Sequence, residues 1–142
     1  MIEPTEEQPK GEAILRTVAM PADTNPNGDI FGGWILSQMD IAGGILAKEI
    51  SRGRTVTVAV ESMKFIRPVK VGDVVCCYGQ VEKIGNTSIS VRLEVWVTPV
   101  QRKGGGPRFK VTEARFTYVA IDDEGKKRSV PKEAGVQMRW SV

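Results

Sequence analysis

Between Asp29 and Lys48 run eighteen residues, IFGGWILSQMDIAGGILA, of which one, Asp40, carries a charge. A stretch this long and this apolar either crosses a membrane or forms a helix buried around most of its circumference. Ser37, Gln38, Asp40 and the pairs Gly32–Gly33 and Gly43–Gly44 interrupt it, and the flanking segments read as soluble, so no membrane span is expected. The helix should run from about Phe31 to Ser51. Gly53 offers a stop, and Lys48 and Arg52 lie near the negative end of its dipole. A helix apolar nearly all round needs a sheet that wraps it on several sides.

The remaining chain supplies that sheet. Glu12 to Met20 reads as a first strand, and PADTNPNGD after it is an irregular loop rich in turn formers. Beyond Gly53 the apolar period changes to two: Val56, Val58 and Val60 alternate with Thr55, Thr57 and Ala59. Turns at 71–73 and 85–88 separate further strands, VVCCYGQVEKI and ISVRLEVWVTPV. A basic, glycine-rich loop, QRKGGGP, precedes RFKVTEARFTYVAID, which carries Ala114, Phe116, Tyr118 and Ala120 on one face. Strands joined by short turns are antiparallel neighbours. The expectation is an α+β domain, one long central helix against an antiparallel sheet of about five strands, over residues 12–131. A disordered lead-in (1–11) precedes it, and a tail of little signal (132–142) follows.

Composition narrows the chemistry. With 142 residues, one domain is expected, and it can bury a core without disulfides or metals. The formal charge of +3 suits an anionic small ligand and is too weak to argue for nucleic acid. There is no histidine, which excludes a Ser-His-Asp triad, a Cys-His pair and a His-ligated metal. The two cysteines, Cys76 and Cys77, are strand neighbours facing opposite ways and have no further thiols to join in a zinc site. With no signal peptide apparent, this usage fits a cytoplasmic protein.

Catalysis in such a chain falls to carboxylates, amides, hydroxyls or backbone groups, and Asp40 stands out among them. No Lys or Arg lies within a turn of it to explain the burial of a charge, so it reads either as a structural cap or pair, or as a carboxylate kept partly desolvated to act as base or nucleophile. Gly32 and Gly33 open the helix, where unpartnered N–H groups and the positive dipole end can polarise a carbonyl. Asp40 is seven residues beyond Gly33, roughly 10 Å along the helix. One helix cannot serve both roles, so the spacing predicts a dimer with a second helix antiparallel to the first, Gly43 and Gly44 permitting close approach.

The segments MPADTNPNGDIFGGWILSQMDIAGGILAKEI and VTVAVESMKFIRPVKVGDVVCCYGQV resemble the hotdog-fold acyl-CoA thioesterases of the YciA type. The likeness runs from Arg16 to Pro131. It includes the spacing of Asn25, Gly28, Asp29, Gly32 and Gly33, the Met39–Asp40 pair, and the turn FIRPVKVGD. It implies an Asp-dependent, metal-free and cofactor-free hydrolysis of acyl-CoA to acid and CoA, and a dimer assembling into a hexamer. It makes Asp40 the catalytic carboxylate, Asn25 the group orienting water or substrate, and Gly33 the carbonyl-polarising N–H. Thr57, Val58 and Ala59 would lie along coenzyme A, and Asn86, Thr87 and Ser88 would meet its nucleotide end. Phe31 replaces a histidine of some relatives and should shape the acyl pocket. Gly44 stands where another branch carries a hydroxyl, so something else must hold the water. A hotdog dehydratase would need a histidine, and a non-catalytic acyl-CoA sensor would not need Asp40.

Overall fold

The computed structural model describes residues 8–99 and 106–132. The expected lead-in up to residue 7, most of the basic loop and the tail from residue 133 lie outside them. The elements in chain order are β1 (Glu12–Val18), α1 (Gly32–Ser51), β2 (Thr55–Phe65), β3 (Val74–Ile84), β4 (Ser88–Thr98) and β5 (Phe109–Ala120). All five strands form one antiparallel sheet, in the order β1-β3-β4-β5-β2.

The order corrects one expectation. β3, β4 and β5 are neighbours, as short turns require, but β2 and β3 are not. The connection 66–73 instead carries the chain from the β2 edge across the end of the sheet, a distance of about three strand spacings, or roughly 14 Å. Backbone hydrogen bonds tie it down on the way: Ile66 donates to Val111, Ile30 donates to Val69, and Ala19 donates to Asp73. Pro68 keeps the segment out of a ladder. Asp73, buried, holds the last turn by accepting the Lys70 N–H at 3.0 Å.

The helix lies along the inner face of the sheet. Ile35, Met39, Ala42, Gly43, Leu46, Ala47 and Ile50 are buried, against Ile89, Val91, Leu93, Val95, Ala114, Phe116 and Tyr118. Burial of each large aliphatic side chain contributes about 1.5–3 kcal/mol, which explains a helix otherwise weakened by four glycines. The sheet covers one side only; Leu36, Ile41 and Ile45 remain exposed on the single chain.

Gly53 does not end the helix. Arg52 takes the left-handed conformation (φ 56°) and donates its N–H to Lys48. Gly53 serves Arg128 instead, because a Cβ there would lie 2.5 Å from the guanidinium. Arg128 donates to the backbone carbonyls of Ser51, Ile121 and Arg54, closing the negative end of the helix with a cation. The two cysteines face opposite sides as expected, with Cys77 in the core.

Candidate active site

No side chain caps the start of α1, and the N-cap is Phe31. The N–H groups of Gly32 and Gly33 therefore have no acceptor among the described residues. Gly33 is open: a Cβ would meet nothing within 4 Å. At Gly32, also exposed, a Cβ would lie 3.3 Å from the Phe65 ring. The exposed N–H at Gly33 has the geometry to receive a developing oxyanion.

Two turns further on, the Asp40 carboxylate is held by hydroxyls. Thr57 Oγ1 donates to Asp40 Oδ1 at 2.7 Å, and Tyr118 Oη donates to the same oxygen at 3.0 Å and to the Asp40 carbonyl at 3.1 Å. Thr57 and Tyr118 are direct cross-strand partners on β2 and β5. The ladder slips immediately afterwards, at a bulge around Val58 that turns the next side chains of β2. Burial first, and then the adjacent carboxylate, raise the Tyr118 phenol well above its ordinary value, so it stays a donor. Asp40 makes no ion pair among the described residues, and its Oδ2 receives no hydrogen bond. One oxygen is anchored and the other is available for a proton.

Tyr118 is the functional neighbour that sequence reasoning missed. It was assigned correctly to the apolar face, but its hydroxyl target lies 78 residues away. A signal did exist in Gly43, whose Cβ would stand 2.3 Å from Tyr118 Oη. Gly43 is small to admit the phenol and does not serve helix–helix approach, whereas Gly44 has open space beside it. Gly44 brings no hydroxyl to Asp40; the hydroxyls that reach its carboxylate come from the sheet, on Thr57 and Tyr118.

Asn25 sits apart from Asp40 on its own loop. Its Oδ1 accepts the N–H groups of Asn27 (2.9 Å) and Asp29 (3.1 Å), and its amide nitrogen donates to none of the described residues. An ion pair between Asp29 and Lys70 fastens this loop to the 66–73 connection. Asn86, Thr87 and Ser88 form the β3–β4 turn. Asn86 and Thr87 accept the N–H groups of Val130 and Ala120 at their carbonyls; Asn86 is exposed and Thr87 half-buried. Ser88 pairs with Val119, and Val119 with Val56, so the turn lies one residue beyond the row Ile89–Tyr118–Thr57. The 57–59 and 86–88 segments thus lie at the same end of the sheet, about two strand spacings apart with β5 between them. Among the described residues no three His, Cys, Asp or Glu groups converge as a metal site would require, and no helix is long and apolar enough to cross a membrane.

Comparison with known proteins identifies the family. Residues 27–102 match the family model of the thioesterase superfamily. The acyl-CoA thioester hydrolase YciA of Escherichia coli K12 is 61% identical over 91% of this chain and 98% of its own. Among solved structures, a hexameric broad-specificity acyl-coenzyme A thioesterase is 61% identical with a TM-score of 0.85, covering 89% of this chain and 86% of the other. A hexameric thioesterase from Yersinia pestis is 60% identical with a TM-score of 0.81, over 88% and 99%. At such identity and coverage, this chain belongs to the thioesterase superfamily, in its YciA-type branch of acyl-CoA thioester hydrolases.

Proposed function

We propose that the chain hydrolyses acyl-CoA to carboxylic acid and CoA with Asp40 as general base, and the observation that carries this is the carboxylate with one oxygen anchored by Thr57 and Tyr118 and the other free. Asp40 Oδ2 takes a proton from water, the hydroxide attacks the thioester carbon, and the carbonyl oxygen gathers charge at a Gly33 N–H. The tetrahedral intermediate then collapses to the carboxylic acid and expels the CoA thiolate, which takes the proton held by Asp40 and so restores the base. Base, nucleophile and electrophilic assistance are all supplied by these groups and water, so the reaction needs no cofactor. Coenzyme A is the substrate's leaving group, lying along Thr57, Val58 and Ala59 and reaching Asn86, Thr87 and Ser88. Membership in a hydrolase family weighs against a non-catalytic sensor.

Asp40 and Gly33 of one chain remain about 10 Å apart, so the site is completed by a second copy. β2 is an edge strand with Val56, Val58 and Val60 exposed, Val58 by 55%. Long apolar edges of this kind pair. Antiparallel pairing of two β2 strands about Val60 sets Thr57 near the end of the partner's strand, beside the start of the partner's helix. Asp40 of one chain then faces the partner's Gly33 and the partner's Asn25. Three such dimers make the hexamer named for the relatives. Two buried free thiols on opposite sheet faces suit a reducing cytoplasm.

The test follows free-thiol release from acyl-CoAs by the unmodified protein and by Asp40→Asn. Loss of a general base should lower kcat by about 100-fold or more. Full activity in the variant sinks the assignment.

A further inference from the structure

The loop that carries Asn25 is laid against the 66–73 connection at both of its ends. Ala19 donates its N–H to the Asp73 carbonyl at 3.0 Å and accepts that of Gly72 at 2.8 Å, and Ile30 donates to Val69 at 3.0 Å. Between these anchors the tip, residues 25–29, is bonded within itself. The Asn25 N–H donates to the Asp29 carbonyl (2.7 Å), and the Gly28 N–H donates to the Asn25 carbonyl (2.9 Å). Asn25 Oδ1 closes an Asx turn by accepting the Asn27 and Asp29 N–H groups. None of the five tip residues is buried. Among the described residues, one polar contact joins the tip to the rest of the chain, the ion pair between the Asp29 carboxylate and the Lys70 ammonium.

Both ends of that pair are placed to transmit a constraint. Asp29 meets Asn25 twice through its backbone, once at the carboxamide oxygen and once at the Asn25 N–H. Lys70 is fixed in turn by buried Asp73, whose Oδ2 accepts the Lys70 N–H at 3.0 Å and whose own N–H donates to the Lys70 carbonyl at 3.1 Å. We infer that Lys70 is a positioning residue of the reaction: through Asp29 it fixes the direction in which Asn25 presents its amide hydrogens to the reacting thioester or its water. The inference rests on the hydrolase reading and on the place of Asn25 in it. With Oδ1 already holding two backbone donors, the NH₂ group is the end of the carboxamide left for a ligand. A donor assists only while it is aimed, and a displacement of about 1 Å can cost about 100-fold in rate. The pair is partly exposed, at 57% for Lys70 and 32% for Asp29, so water screens it and its effect on rate is capped near about fivefold.

The test is a double-mutant cycle read by thiol release from one acyl-CoA, with kcat and KM determined separately. Lys70→Ala should lower kcat about three- to fivefold and leave KM within about twofold. Its Tm should stay within about two degrees of the unmodified protein, since the side chain is more than half exposed. Lys70→Arg, which keeps a cation for Asp29, should recover most of the loss. In an Asn25→Ala background, Lys70→Ala should have no further effect on kcat, because no amide is left to aim. An unchanged kcat in Lys70→Ala, or a fall of the same size in both backgrounds, overturns the inference. Failure of the readings beneath it looks different. An unmodified protein that releases no thiol sinks the hydrolase reading, full kcat in Asn25→Ala alone removes Asn25 from the site, and the inference falls with either.

Discussion

Gly43→Ala is the substitution that most directly probes how the candidate base is held. Gly43 is helical, so an added methyl meets no backbone objection; its cost is one of space. The new Cβ would lie 2.3 Å from Tyr118 Oη and 3.0 Å from both Tyr118 Cε1 and Leu93 Cδ1, where ordinary contact begins near 3.4 Å. Tyr118 is 2% exposed and cannot swing aside into solvent. Overpacking of this kind costs about 1–3 kcal/mol, and loosening the phenol's hydrogen bonds adds about 1 kcal/mol. Better helix propensity returns about 1 kcal/mol. The net expectation is a destabilisation of about 1–3 kcal/mol, read by thermal unfolding at fixed protomer concentration as a fall in Tm of several degrees. Thiol release should fall as well, because the carboxylate loses an anchor. The neighbouring position supplies the contrast: Gly44→Ala meets nothing within 4 Å in the chain and gains the same helix propensity, so any cost it shows comes from approach of the partner's helix and not from Tyr118. Adding Tyr118→Phe to Gly43→Ala removes the shortest contact and should recover part of the lost stability. If Gly43→Ala stabilises the protein, Tyr118 is not packed against the helix as described and the reasoning fails.

Other expectations follow from the same contacts. Tyr118→Phe alone, which keeps Thr57 on Asp40, should lower kcat several-fold with little change in KM; a loss as large as that of Asp40→Asn would mean that the phenol itself takes part in the chemistry. Single turnover in ¹⁸O-labelled water should place the label in the released acid and none on Asp40, whereas an acyl-aspartate anhydride opened at the aspartyl carbonyl would label the protein. Arg128→Ala leaves the carbonyls of Ser51, Ile121 and Arg54 without their cation, and should cost about 2–3 kcal/mol in chemical denaturation. Burial, and secondarily Cys76, push the Cys77 thiol up to about 12 from 9.0. Unfolding therefore releases a proton in that window, and stability should be unaffected below pH 9 and fall as pH rises towards 12. The slope approaches about 1.4 kcal/mol per pH unit. Cys77→Val should lack that component of the alkaline slope, and identical slopes in the two proteins would refute the assignment.

The helix was legible because its evidence is local: a long apolar stretch, glycines at its start and a charge-bearing last turn all lie within about twenty residues. Strand positions were legible for the same reason, from the period-two alternation of valines. The order of the strands was not. A turn-like VGD before Val74 suggests a hairpin, yet nothing local shows that the preceding strand ends at Phe65 and that residues 66–73 cross the sheet. The site divides along the same line. Asp40 was conspicuous because a charge breaks an apolar period. Its anchors were hidden because Thr57 and Tyr118 are ordinary strand residues until the register pairs them across β2 and β5. That pairing also explains how an almost uncharged helix tolerates a carboxylate without a cation. Two hydroxyls from adjacent strands replace part of the water shell at one oxygen, at the cost of requiring glycine at position 43 so that one of them can reach. Gly43, Asp40, Thr57 and Tyr118 are therefore one unit spread over three elements. A change at any of the four should be felt at the free oxygen of Asp40, where the proposed proton transfer would take place.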